Sequence, residues 1–140
     1  MLTGSIQCPL PKTTNEYSEG HDEIYLVHEP LGVVLIIGPW NFPLFTILPF
    51  LHALAAGNTV IVKPSEMVPA FSKVFDKLVK KYFDERELAC VLADADQTER
   101  LLEERFDHIL YTGCPPVGKI VMNAAAKHLT PVTLELGGKK

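Results

Sequence analysis

Four short apolar runs, each ending abruptly in a polar or glycine-rich motif, set the strongest limit on how this chain can fold. Val33-Val34-Leu35-Ile36-Ile37 runs into Gly38-Pro39-Trp40-Asn41, and Thr59-Val60-Ile61-Val62 into Lys63-Pro64-Ser65-Glu66. His108 to Thr112 runs into Gly113-Cys114-Pro115-Pro116-Val117-Gly118, and Pro131 to Leu134 into Glu135-Leu136-Gly137-Gly138. Runs this short and this apolar read as strands buried on both faces, as in parallel sheets covered by helices. If they are parallel, all four motifs gather along the carboxyl edge of one sheet, where open α/β sheets bind ligands.

The segments between the runs supply the helices. Leu44 to Ala56 reads as one, with Pro49 as a kink and Gly57-Asn58 as the stop. Phe71, Val74, Phe75, Leu78, Val79 and Tyr82 recur at helical spacing, as do Val117, Ile120, Val121, Ala124, Ala125 and His128. Cys90 to Leu92 reads as a further strand, Gln97 to Arg105 as a short helix, and the last strand as Thr130 to Leu134. The expected fold is α/β: a Rossmann-like parallel sheet of five strands with helices on both faces and right-handed crossovers. Residues 1–29 read as a polar arm followed by a short strand at Ile24 to Val27, and residues 30–140 as the sheet domain.

Composition excludes some classes of function. A net charge of −4 over 140 residues offers no basic stripe for a nucleic-acid backbone. The three cysteines (Cys8, Cys90 and Cys114) have neither disulfide-framework nor zinc spacing, which suits a reducing compartment. No acidic or basic residue interrupts Pro30 to Val62, but glycines and prolines break it into pieces shorter than the ~20 residues of a spanning helix. The start of the chain lacks the features of a signal peptide, so the expected location is cytoplasmic.

Each motif admits a chemical reading and a plain one. Gly113-x-x-x-x-Gly118-Lys119 has the outline of a phosphate loop entering a helix, and equally that of a tight turn. Ile120 stands where a Walker loop needs Ser or Thr, and neither Pro115 nor Pro116 has an N–H for an anion. Lys63 and Glu66 can hydrogen-bond ribose hydroxyls, or Ser65 can be the N-cap and Glu66 a first-turn carboxylate of the next helix. Asn41 offers an amide N–H₂ to an oxyanion, or simply satisfies its own turn. Glu135 offers a general base if burial raises its pKa, and otherwise a solvated strand-end carboxylate. The histidines show no ligand spacing; His52 and His128 fall on helix faces.

Taken in order and at their spacing, Gly38-Pro-Trp-Asn-Phe-Pro43, Ala55-Ala-Gly-Asn58 with Lys63-Pro-Ser-Glu66, Tyr111-Thr-Gly113 with Val117-Gly-Lys119, and Leu134-Glu-Leu-Gly-Gly-Lys139 resemble the aldehyde dehydrogenase superfamily. Arg105 to Gly113 and Ala124 to Glu135 resemble its class 3 branch, which oxidises fatty and aromatic aldehydes. The resemblance implies a truncated NAD(P)-binding domain, with NAD or NADP as cofactor, an aldehyde as substrate and homo-oligomeric relatives. By the same resemblance Asn41 donates to the oxyanion and Glu135 activates water. Lys63 and Glu66, with Ser65 beside them, hold the adenosine ribose. Gly113, Cys114, Pro115, Pro116, Val117 and Gly118 line the pyrophosphate, and Trp40, Leu136 and Gly137 lie near the path to the nicotinamide. A Ser is usual at position 114, and Cys114 is a weaker hydrogen-bonder. The family's nucleophilic cysteine is expected beyond Lys140, so the 140 residues read as a fragment inactive alone. The alternative is a non-catalytic nucleotide-binding or partner-binding module.

Overall fold

The computed structural model describes residues 27–138, which form one five-stranded sheet flanked by five helices. In chain order the elements are β1 (Val33–Ile37), α1 (Pro43–Ile47), α2 (Pro49–Ala55), β2 (Thr59–Lys63) and α3 (Pro69–Tyr82). β3 (Leu88–Cys90), α4 (Ala95–Leu101), β4 (His108–Gly113), α5 (Pro115–Ala126) and β5 (Val132–Leu136) follow. Every strand pair is parallel, and the order across the sheet is β3-β2-β1-β4-β5. The order reverses between β1 and β4, the switch point at which open α/β sheets form a ligand crevice beyond the carboxyl ends of the strands.

The central runs, β1 and most of β2, are buried on both faces because helices cover both, whereas no residue of the edge strand β5 is fully buried. On one face Val34, Ile36, Val60, Val62 and Leu88 pack against Ile47 and Phe50 of α1 and α2 and against Phe75 and Val79 of α3. On the other, Leu35, Ile37, Ile109 and Tyr111 pack against Val121 and Ala125 of α5 and against Leu102 and Phe106 beyond α4. Leu35 and Ile36 are fully enclosed, each contributing roughly 1.5–3 kcal/mol of burial. Phe50 and Phe75 meet edge to face at 5.8 Å and join α2 to α3.

Several boundaries differ from the sequence reading. The helix expected over Leu44 to Ala56 is two helices broken at Leu48, because Pro49 has no N–H to continue the first. Gly57, at φ +88°, closes α2 in a Schellman arrangement, its N–H bonding Leu54 O and that of Asn58 bonding Ala53 O. The β3 strand lies two residues earlier than expected. α4 begins at Ala95 because Asp94 caps it, its carboxylate accepting from the Gln97 N–H while the Gln97 side chain accepts from the Asp94 N–H. It ends at Leu101 rather than Arg105. β5 runs to Leu136 instead of Leu134. In α3 the buried line is Ser72, Phe75 and Val79, whereas Val74, Leu78 and Tyr82 are exposed. A helix lying on a flat sheet buries a narrower stripe than its apolar pattern offers. In α5 likewise, Val121 and Ala125 are buried and Val117 and Ile120 exposed. The strand expected at Ile24 to Val27 lies outside the described residues apart from Val27, which is in no strand. Among the described residues no helix is long and apolar enough to cross a membrane.

Candidate functional site at the carboxyl edge of the sheet

Register alone brings the motifs together. Ile37 is paired with Lys63 on one side and Tyr111 on the other, and Tyr111 with Leu134. Lys63, Ile37, Tyr111 and Leu134 therefore form one row across the sheet, and parallel partners point to the same face. Each motif leaves the sheet at or just past this row. The Gly38 N–H donates to Lys63 O at 3.1 Å, and that of Gly137 to Gly113 O at 3.0 Å, extending the ladder beyond the strands.

After β1 the chain turns sharply into α1. A Cβ on Gly38 would lie 2.5 Å from Ile47 Cγ2, so only glycine lets α1 fold back this closely over the strand end. Phe42 stands at φ +54° immediately before Pro43, the first residue of α1. Trp40 and Asn41, between Gly38 and Phe42, are exposed. Among the described residues the Asn41 amide makes no hydrogen bond to its own turn, which leaves it available to a ligand.

After β2 lies the most strongly built part of the site. Lys63 is only 5% exposed, and its Nζ donates to Glu66 Oε2 at 2.7 Å. That bond to the ammonium holds the Glu66 carboxyl below the ordinary carboxylate value. Ser65 is not the N-cap that its sequence position suggested, because α3 starts only at Pro69. Instead its hydroxyl accepts from the Met67 N–H at 3.2 Å, and its carbonyl accepts from the buried Ser72 hydroxyl at 2.9 Å. The turn is thereby fastened to the first two turns of α3. Beside it an open pocket of about 210 Å³ is floored by Pro64, Pro69 and Leu92 and rimmed by Glu66, Lys73 and Asp94.

After β4 the chain enters α5 directly. Cys114 is the N-cap and is exposed, but its side chain caps nothing; Pro115 and Pro116 occupy the first two helical positions. The Gly118 N–H is bonded to Cys114 O, so Val117 alone in the opening turn has an N–H for an anion. Tyr111 lies beneath this loop, its hydroxyl donating to Cys114 O at 3.3 Å. A Cβ on Gly113 would meet that hydroxyl, and one on Gly118 would come within 2.8 Å of Leu136. The two glycines admit Tyr111 and Leu136 into the loop's underside. Burial pushes the Tyr111 phenol up to about 12, so it stays a neutral donor.

Near the end of β5, Glu135 is paired with Thr112 but is exposed, contrary to the burial expected for a general base. The cause is its place on an edge strand. On that face the nearest helix is α2, and a groove of about 230 Å³, lined by Ala53, His108, Leu110 and Thr133, separates it from β4 and β5. Leu136 and Gly137 are likewise exposed. Asn41 and Glu135 rise from the same edge, with only β4 between their strands.

An ammonium and a carboxylate held 2.7 Å apart form a donor and acceptor set that matches a vicinal diol, and the groups after β2 accordingly fit an adenosine ribose. The helix after β4 offers a pyrophosphate less, since two of its first three positions are proline. Two residues of the quoted motifs have supporting roles that the sequence reading did not assign. Tyr111 shores up the glycine loop. Asn58 accepts from the Leu31 and Gly32 N–H groups through Oδ1 and donates to Ala53 O, which fixes where β1 begins.

Residues 3–140 match the model of the aldehyde dehydrogenase family. The chain is 58% identical over 119 residues to aldehyde dehydrogenase family 3 member A2 of Mus musculus, covering 84% of this chain and 25% of that protein. It is 56% identical over the same length to the dimeric NADP-preferring aldehyde dehydrogenase of Rattus norvegicus, covering 84% and 26%. Among solved structures, the substrate-bound Staphylococcus aureus AldH superposes with a TM-score of 0.76 at 43% identity, covering 80% of this chain and 25% of that one. The chain thus spans about a quarter of the length of the relatives it matches.

Proposed function

Because the chain belongs to the aldehyde dehydrogenase family, we propose that it forms the cofactor-binding part of an enzyme that oxidises aldehydes to carboxylic acids with NAD or NADP. The observation that carries this reading is the Lys63–Glu66 pair, buried at its lysine end and set at the carboxyl edge beside the β1–β4 crevice. A bound nicotinamide supplies the acceptor for the hydride that leaves the aldehyde carbon. The chain's own residues bind, orient and move protons around it. Lys63 Nζ donates to a ribose oxygen and Glu66 accepts from a ribose hydroxyl. The Val117 N–H would donate to a phosphate oxygen at the start of α5. The Asn41 amide donates to the carbonyl oxygen of the substrate as negative charge gathers there. The Glu135 carboxylate would take a proton from the water that attacks an acyl group held as a thioester on the family's nucleophilic cysteine, the thiolate leaving as the acid forms.

Neither described cysteine suits the attack on the aldehyde. Cys90 lies on β3 at the far edge of the sheet, its thiol pushed up to about 12 mainly by burial, and Cys114 caps α5 at the phosphate end. This favours, as a second reading, a nucleotide-binding module that performs no chemistry alone. From the class 3 likeness we propose fatty or aromatic aldehydes as substrates, testable by a panel of aldehydes on the complete enzyme; the cytoplasmic location expected from the sequence is testable by imaging a tagged protein.

The test of the cofactor reading is calorimetric titration of the chain, shown to be folded by circular dichroism, with NAD and NADP. Binding weakened about tenfold by Lys63→Met is expected from loss of a charge-assisted hydrogen bond. No heat with either cofactor overturns the reading. The chain alone is expected to produce no NADH from a long-chain aldehyde, and turnover that Cys114→Ala abolishes overturns our assignment of the thiols.

A further inference from the structure

The pocket after β2 has a charge pattern that the ribose pair does not use. Four charged groups stand in or beside it: Lys63, Glu66, Lys73 and Asp94. Three have internal partners. Lys63 and Glu66 bind each other, and the Asp94 carboxylate accepts the Gln97 N–H at the start of α4, where the helix dipole favours its charge. Lys73 is the exception: among the described residues it makes no ion pair and no hydrogen bond. Its position is nonetheless fixed. Pro69, Ser72 and Lys73 line the pocket as one face of α3, and the Ser72 hydroxyl ties that face to the carbonyl of Ser65, next to Glu66. Lys73 therefore rises from a rigid helix at the rim of the pocket that Glu66 also lines.

We propose that Lys73 recognises a phosphate on the 2′ oxygen of the adenosine ribose, so that the site admits NADP as well as NAD. This rests on the reading of Lys63 and Glu66 as the ribose contacts. The charges decide the issue. With Lys73 the four groups sum to zero. Without it they sum to −1, and a phosphate dianion would meet two carboxylates with one already-paired ammonium to offset them. Glu66 alone favours a 2′ hydroxyl, which it can accept from, over a phosphate, which it repels. Lys73 offsets that repulsion without displacing Glu66, and the outcome is acceptance of both cofactors rather than exclusive use of either.

The test compares two small probes on the full chain: adenosine 5′-monophosphate and adenosine 2′,5′-bisphosphate, titrated calorimetrically at low salt. Lys73→Ala is expected to weaken the bisphosphate about fivefold relative to the monophosphate, the scale of one exposed charge contact. Lys73→Arg should restore the ratio, and roughly 0.5 M salt should shrink the difference between parent and Lys73→Ala by screening. Melting temperatures matching the parent's show that the variants fold. An unchanged ratio in Lys73→Ala, or an equal loss for both probes, overturns the role of Lys73 while leaving the ribose site standing. Failure of the folded parent to bind either probe removes the ribose site itself, and this proposal with it.

Discussion

Cys90 and Cys114 are chemically identical side chains that their surroundings set far apart. Burial first, and the nearby Asp76 carboxylate second, push the Cys90 thiol up to about 12, whereas Cys114 is exposed at a helix start. At pH 8 a thiol of that pKa is ionised to roughly one part in ten thousand, and alkylation proceeds through the thiolate. Iodoacetamide labelling followed by peptide mass mapping is expected to modify Cys114 at least about a hundredfold faster than Cys90. Equal rates would show that β3 opens to solvent. Glu66 gives a second prediction, with a definite sign. Its carboxyl is held below the ordinary value of 4.5, chiefly by the hydrogen bond from Lys63. The stabilisation is therefore complete above that value and lost as pH falls through the lowered folded value. Because the Glu66 side chain is 47% exposed, solvent screens the pair and its worth is about 1 kcal/mol or less. Urea midpoints measured from pH 6 down to pH 3 should fall more steeply for the parent than for Glu66→Gln. Parallel curves would remove Glu66 from the acid transition.

At the scale of the element, the central strands were legible because parallel strands between two helical layers must be apolar on both faces, and their short runs end in turn residues. Val33 to Ile37 matches its strand residue for residue. Helices were legible in number and less so in extent. The period of Phe71 to Tyr82 marks α3 correctly but cannot say how wide a stripe the sheet will cover, and Val74 and Leu78 remain outside. Lys63 and Glu66 could be paired from sequence since they are three residues apart. Ser65 could not be placed, since its carbonyl meets a hydroxyl seven residues on, and neither could the exposure of Glu135, which depends on what lies over β5. Asn58 illustrates the limit best. Next to Gly57 it reads as a helix stop, and it is one, but its side chain also bonds Leu31 and Gly32, partners 27 and 26 residues away. Asn58→Ala leaves two N–H groups and the Ala53 carbonyl without that partner, a loss of about 1–3 kcal/mol. Asn58→Asp keeps the acceptor and should cost less. Chemical denaturation checks both, and equal stability of parent and Asn58→Ala would deny the clamp.

Taken whole, the molecule is a sheet well sealed at its centre and apolar on part of its outside. The chain that closes the β1 edge of the crevice carries Trp40, Phe42, Leu44 and Phe45 at 58%, 74%, 52% and 75% exposure, four large apolar side chains within six consecutive residues. Clustered exposure of this kind marks a contact surface, in contrast to the scattered apolar residues of any soluble protein. Phe42 makes the point sharper, because it also holds φ +54°, a conformation that costs a non-glycine residue of order 1 kcal/mol or more. A residue that is both strained and unburied gains nothing for the described fold by being phenylalanine. Replacing it should therefore reduce self-association without lowering stability. Phe42→Asn suits the positive φ, since asparagine tolerates it best among the non-glycine residues, and Phe45→Lys adds charge to the exposed face of α1. The double variant is expected to bind an apolar reporter dye more weakly than the parent and to sediment as a smaller species at high concentration. Its melting temperature should equal or exceed the parent's. A lower one would mean that the two rings are packed within the fold itself, and unchanged association would place the sticky surface elsewhere, with Leu129, 89% exposed past α5, the next residue to replace.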